Sequence, residues 1–329
     1  MKRRQFLQLM AAPAILSATG ASLAQGKQKV TYLYLLDPVY DAALWALRNG
    51  KVTSNLIEVE ATGANIPTLL QATATKQYDV VMTAVIGLPA AAARGLELRI
   101  LSAALYAAEA GEGGGVWVKK DSPLKDAAEL KGKTLGSYGL RATGYMFQRE
   151  ALNIKHNLNM ALEGGDVKQV EIVAPNLPAA LATGQIDAAA LIHSQAYRAM
   201  QSGDFVNIFE AGKVLNAAHG RLVSAVNVSY PEKLSERKDA FGEFLRMVKA
   251  SVTYALANRA EVFAAVGKQA NIDPKFFDWW FDRTTEIPGT FTPTHAKAVT
   301  TAWEIGKKHG MIPAVPPVEP MIWENVLRA

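Results

Sequence analysis

The sequence predicts an α/β protein of two lobes, the second inserted into the first through two chain crossings, with a helical C-terminal third. Three observations carry this. Short apolar runs alternate with amphipathic stretches from residue 30 to residue 229, as strands and helices do when they succeed one another. A cluster of glycines, Gly111-Glu112-Gly113-Gly114-Gly115, breaks the alternation at a composition too flexible for an element interior. The chain, at 329 residues, also exceeds what one hydrophobic core comfortably fills.

The elements follow in order. A strand over 30–36 leads into a helix over 41–48. Strands over 57–61, 80–83 and 98–104 continue the first lobe, with helices over 66–75 and 88–94 between them. Beyond the glycines come strands over 115–118 and 134–136, a helix over 145–153, and a strand over 170–174. A helix over 177–183, a strand over 188–192, a helix over 194–201 and a strand over 206–210 complete the inserted set. The apolar run 222–229 reads as a strand returning to the first lobe. Phe241, Phe244, Leu245, Val248, Val252 and Leu256 then recur at helical spacing and predict a core-facing stripe. Helices are expected over 260–269, 274–281 and 293–309, and the proline-rich 312–320 should lie extended on the surface. The boundaries implied are 25–112 and 222–329 for the first lobe and 113–221 for the second.

The first 24 residues stand apart. Met1-Lys2-Arg3-Arg4-Gln5-Phe6-Leu7 opens a stretch with no further charge before Lys27, and Ala21-Ser22-Leu23-Ala24 closes it with small residues. A basic start, a short apolar middle and a small-residue exit describe a cleavable export leader, cut near Ala24. A membrane anchor would want roughly 20 strongly apolar residues, and Pro13, Gly20 and several Ser and Thr dilute this run. Arg3-Arg4-Gln5-Phe6-Leu7 resembles a twin-arginine signal, although a basic pair serves the general export route equally well. The leader holds three basic residues and no acidic one, so a formal net charge of +5 falls to +2 on cleavage. That balance does not point to nucleic acid. The absence of cysteine excludes disulfides, thiolate catalysis and cysteine-based metal sites, and suits an oxidising compartment.

Four stretches resemble one known family. They are Tyr78-Asp79-Val80-Val81 with Gly87-Leu88-Pro89-Ala90, the run from Gly114 to Ser122, the run from Asp126 to Gly136, and Leu181-Ala182-Thr183-Gly184-Gln185-Ile186-Asp187-Ala188. In this order they resemble the nitrate/sulfonate/taurine and thiamine-pyrimidine-precursor branch of type II periplasmic binding proteins. The resemblance implies a periplasmic solute-binding protein that captures a small, anionic organic ligand in the cleft between its lobes. Such a protein works as a monomer and delivers its ligand to the permease of an ABC importer. One departure stands out. Many members carry an aromatic–Glu–Pro sequence where this chain reads Ile192-His193-Ser194.

The strongest candidate site is Ser137-Tyr138-Gly139-Leu140-Arg141-Ala142-Thr143-Gly144, which follows a strand and opens a helix. Unpaired N–H groups and the helix dipole favour an anion there, and Ser137, Tyr138, Arg141, Ala142, Thr143 and Gly144 are its candidate contacts. The ordinary alternative is a helix capped by Thr143 with Arg141 solvated. Tyr40 and Asp41 lie in the loop after the first strand, where α/β sheets present ligand groups, yet Tyr40 reads equally as a half-buried aromatic. Thr83 and Gly87 occupy the corresponding turn of a later strand. His193 takes the place of the family's Glu and can hydrogen-bond a carboxylate or sulfonate, or serve as a structural group. Glu109 and Glu112 read as solvated, and Phe276, Phe277, Trp279, Trp280 and Phe281 as helix core rather than cleft wall.

An enzyme is disfavoured by the residues themselves. The histidines at 156, 193, 219, 295 and 309 are scattered without metal-ligand spacing, and no Gly-x-Ser-x-Gly elbow occurs. Gly132-Lys133-Thr134 imitates the end of a phosphate-binding loop, but Ala127 stands where that loop needs its first glycine. The family's pyrimidine synthases carry a cysteine-rich motif that this chain lacks. No cofactor or metal is expected. A periplasmic ligand-sensing component is the other reading the two-lobed plan allows.

Overall fold

The computed structural model describes residues 26–107 and 114–329. The leader, Glu109, Glu112 and the glycine cluster as far as Gly113 lie outside the described residues. Eleven strands are seen among the rest: β1 (Gln28–Leu35), β2 (Ile57–Ala64), β3 (Val80–Ala84), β4 (Arg99–Ala107), β5 (Gly115–Lys119), β6 (Thr134–Ser137), β7 (Lys168–Glu171), β8 (Ala188–Leu191), β9 (Phe205–Glu210), β10 (Val223–Ser229) and β11 (Thr285–Glu286). They form two sheets. The six-stranded sheet runs β11-β4-β10-β3-β1-β2 and the five-stranded sheet β7-β6-β8-β5-β9. All strands of the second sheet come from one continuous stretch, and β10 then returns between β3 and β4, antiparallel to both. The fold is therefore two α/β sheets, the second formed from a stretch inserted within the first, as read from the sequence.

β1 shows why the first sheet forms. Val30, Tyr32, Leu33 and Tyr34 are all buried, a run rich in β-branched and aromatic side chains that suits a pleated surface covered on both faces. The buried hydroxyls are paired: Tyr32 donates to Asn227 Oδ1 at 2.9 Å, and Asn227 Nδ2 donates to Ser102 Oγ at 3.0 Å, tying β1 to β10 and β4. At the sheet's end Asp79 accepts from the Thr31 N–H at 2.9 Å and from Arg237, with Lys233 at 3.3 Å. Burial alone would raise that carboxyl, but these donors and cations outweigh it and hold Asp79 below its ordinary range. The aspartate of the first family stretch is thus a structural clamp. β8 is built from Ala188, Ala189, Ala190 and Leu191, all fully buried, poor strand formers kept extended by β6 and β5 on either side.

Several expectations shift. The helix expected over 41–48 is two, Pro38–Ala43 and Trp45–Arg48. The first begins early because Asp37 caps it, its Oδ1 accepting from the Val39 N–H at 3.1 Å with Pro38 leading the helix. The helix expected over 145–153 runs Thr143–His156. Helices Ala211–His219 and Pro231–Glu236, and the two-residue β11, were not legible. In the long helix Lys238–Ala257 the predicted stripe is buried from Phe241 to Val252, but Leu256, in the last turn, is exposed. The C-terminal stretch stays irregular and is less superficial than expected. Ile312, Val318 and Trp323 are buried, and the Trp323 N–H donates to Ile100 O at 3.0 Å. Phe276, Phe277 and Trp280 pack in the core as the sequence suggested.

Candidate functional site

A cavity of about 170 Å³ lies where the two sheets face one another. The first lobe supplies Leu69, Met82 and Thr83 with Ala225 of β10; the second supplies Tyr138, Phe147 and Leu215. The lining is mostly apolar and carries no Lys, Arg, Asp or Glu among the described residues. Among the described residues its titratable side chains are Tyr138, whose hydroxyl burial pushes up, and His193.

The second lobe aims a helix at this space. Helix Thr143–His156 has Ala142 as its N-cap, and no side chain bonds its leading N–H groups. Ala142, Thr143 and Gly144 all line the cavity, so the partial positive charge of the helix end faces the void. Thr143 does not cap the helix. Its Oγ1 instead accepts from the Ile86 N–H of the first lobe at 3.4 Å. A Cβ at Gly144 would stand 2.6 Å from the Tyr138 hydroxyl oxygen, so any larger residue there would have to displace the tyrosine.

His193 follows β8 and opens helix His193–Ser202 with a φ of 45°, a left-handed conformation uncommon for a non-glycine residue. That turn carries the imidazole to the first lobe. Nδ1 lies 2.9 Å from Asp37 Oδ2, and the ring stands edge-on to Trp280 with centroids 5.6 Å apart. Asp37 therefore caps one lobe's helix through one oxygen and grips the other lobe through its second.

The predicted residues divide accordingly. Thr83, Tyr138, Ala142, Thr143, Gly144 and His193 are brought together on the lining. Five others are placed elsewhere. Tyr40 is a core residue, its hydroxyl donating to Ala104 O at 3.0 Å. Asp41 accepts from the Tyr34 hydroxyl at 2.8 Å and from Arg48, within the first lobe. Ser137 is fully buried and its Oγ accepts from the Gly139 N–H at 3.2 Å. Gly87 stands behind Thr83, at the start of helix Gly87–Ala93. Arg141 is exposed, because the helix begins two residues after it. Residues the sequence did not single out include Phe147, Gln148 and Thr284, and in the loop 37–41 it is Asp37, rather than Tyr40 or Asp41, that reaches the other lobe. For Asp37 a signal existed, an Asp before Pro at a helix start; Gln148 would have needed the helix phase, four residues after Gly144.

A second interlobe cluster lies away from the cavity lining. Glu150, buried on the second lobe's helix, accepts from Lys308 Nζ at 2.9 Å and His309 Nε2 at 2.7 Å, with His219 Nε2 at 3.1 Å. Burial would raise this carboxyl, yet Lys308, His309 and His219 together hold it low. Helix Pro293–Lys308, which ends there, also presses Gly306 against both lobes. A Cβ on Gly306 would lie 2.1 Å from Ile86 Cδ1 and 3.4 Å from Met146 Sδ.

Comparison with known proteins gives a family and a fold. A family model described as NMT1/THI5 like matches residues 57–262, more than half of the chain. The periplasmic aliphatic sulphonate binding protein SsuA from Escherichia coli is similar in structure, with a TM-score of 0.70 at 14% identity, covering 92% of this chain and 99% of that one. The alkanesulfonate-binding protein SsuA from Xanthomonas axonopodis pv. citri, bound to MOPS, matches with a TM-score of 0.69 at 17% identity over 92% and 99% of the two chains. The ligand-binding component of an ABC-type import system from Staphylococcus aureus gives 0.68 at 16% identity over 90% and 97%. No curated protein matches the sequence significantly. Among the described residues no helix is long and apolar enough to cross a membrane.

Proposed function

We propose, for a chain that belongs to the NMT1/THI5-like family, that it is an exported solute-binding protein delivering a small organic ligand to the permease of an ABC importer. The observation that carries this is the cavity of about 170 Å³, walled by both lobes and faced by an uncapped helix end. A ligand touching both walls binds the closed arrangement better than the open one, and so shifts the population toward closure. The closed form is then what a permease recognises. Residues 25–112 and 222–329 act as one lobe and 113–221 as the other, moving as a monomer about the two crossings.

Residues 1–24 act as the export leader, cleaved near Ala24, with Arg3-Arg4 addressing the twin-arginine route and the periplasm as destination. The reading is of binding without turnover. His193 is held by Asp37 and Trp280 rather than set against a nucleophile. The ligand places its most electron-rich group at Ala142, Thr143 and Gly144. Of the sulfonates, carboxylates and pyrimidine precursors implied by the resemblance, an anion would meet the helix end and neutral donors but no guanidinium or ammonium among the described lining residues, since Arg141 is exposed.

The test is a thermal-shift screen of the mature chain against these classes, followed by capture of the importer permease on the ligand-loaded protein. A true ligand at 100 times its Kd adds about 2.7 kcal/mol of stability. A dose-dependent rise within one class supports the reading, and silence across all of them counts against it.

A further inference from the structure

Two buried polar side chains border the cavity without a partner, one from each lobe. Gln148 follows Gly144 by one helical turn, is 2% exposed, and neither its Oε1 nor its Nε2 makes a hydrogen bond. Thr284, 3% exposed, lines the cavity from the first lobe with its Oγ1 likewise unpaired. Buried polar atoms in folded proteins are almost always satisfied, so a pair of orphans around one cavity describes the group that completes it.

That description is chemically narrow. The amide of Gln148 offers a donor and an acceptor side by side, and exchanging its oxygen and nitrogen leaves this unchanged. Both are satisfied together only by a group that sets an acceptor beside a donor. Carboxylate and sulfonate oxygens accept only. They would serve Nε2 and leave Oε1 facing negative charge. Among the described residues the lining also lacks any Lys or Arg to neutralise an anion held there. Size narrows the class further, for about 170 Å³ is close to the roughly 150 Å³ apolar cavity that accepts benzene.

We propose that the ligand is a neutral carboxamide or lactam carried on a single apolar ring, its amide edge paired with Gln148 and a remaining polar atom bonded by Thr284. The inference rests on the cleft being a ligand site. It narrows the ligand to a class that the anion expected from the sequence does not include. A molecule bonded to one residue from each lobe also gives closure its selectivity. An apolar ring lacking the amide fills the space and leaves both orphans buried.

The test is calorimetric titration of the mature chain with benzamide and 2-pyridone against benzoate and benzenesulfonate. The amide and the lactam should bind at least tenfold more tightly than the two acids. Gln148→Met, close in shape and apolar, should weaken benzamide at least tenfold. Its ligand-free melting temperature should equal or exceed the parent's, since it removes two unpaired buried atoms. A lower melting temperature in Gln148→Met would assign Gln148 to the fold and overturn the proposal. Tighter binding of the acids, indifferent to Gln148→Met, would overturn it too while leaving the cleft as a binding site. Silence from all four probes would sink both.

Discussion

His193 of the second lobe and Asp37 of the first meet at 2.9 Å on the cavity's edge. Neither belongs to the other's sheet, and the contact exists only when the lobes are together. It makes Asp37 a residue of two duties, since its other oxygen caps helix Pro38–Ala43. The two substitutions should therefore separate. His193→Ala should weaken ligand binding about tenfold, the loss of one interlobe hydrogen bond worth about 1.4 kcal/mol, with little change in melting temperature. Asp37→Ala should weaken binding similarly and also cost about 1 kcal/mol of stability through the lost cap. Titration calorimetry and denaturant melts on the same samples check both.

Glu150 concentrates three partners around one buried carboxylate. Glu150→Ala should destabilise the protein by about 2–3 kcal/mol, because hydrogen bonds to a charged group are among the stronger ones and their loss strands the partners. Urea unfolding measures it. A loss below about 0.5 kcal/mol would mean that the cluster contributes no more than a surface pair.

The acid limb of stability should trace to two carboxyls. Asp79 and Glu150 are both held below their ordinary values, 3.8 and 4.5, by donors and cations that outweigh burial. A carboxyl depressed in the folded state contributes stability that is complete above its unfolded value and lost as pH falls through the folded one. Melting temperature should therefore be insensitive to these groups near neutrality and drop below about pH 4. Asp79→Asn should be less stable than the parent at pH 7 and should fall less steeply in acid. An equally steep fall would assign the acid limb to other groups.

Gly144→Ala should interfere with the cavity without unfolding the lobe. The new Cβ meets the Tyr138 hydroxyl at 2.6 Å, and the tyrosine must move into the space the ligand needs. Binding should weaken at least tenfold, a cost of roughly 1.4 kcal/mol or more. Adding Tyr138→Phe should restore part of it by removing the clashing oxygen. No recovery in the double variant would place the cost in the helix end itself.

The fold was legible because its signals are local. Apolar runs marked β1, β3, β4 and β10, and helical spacing marked the stripe that is buried from Phe241 to Val252. Of the candidate residues that line the cavity, Ala142, Thr143 and Gly144 coincide with a helix boundary, while Thr83 and Tyr138 were read from strand ends and the loops after them. Arg141 and Tyr40 were misplaced for a common reason. Position in a loop is written in the sequence, but the direction in which a loop residue points is set by tertiary packing. Gln148 and the Glu150 cluster were hidden differently. Glu150 is met by Lys308 and His309 from the opposite lobe, more than a hundred residues away in the chain, and the burial of Gln148 likewise follows from tertiary packing.

β10 between β3 and β4 also sets an order of assembly. The first sheet has a gap at its centre until residues 223–229 have been synthesised, by which time the whole of the second sheet has already been made. The N-terminal strands alone would expose the two edges of that gap, each with unpaired backbone groups, so they cannot form a finished domain early. The inserted strands β5–β9, by contrast, come from one unbroken stretch and can pair as soon as it emerges. The lobe that is first in the chain is thus last to be completed.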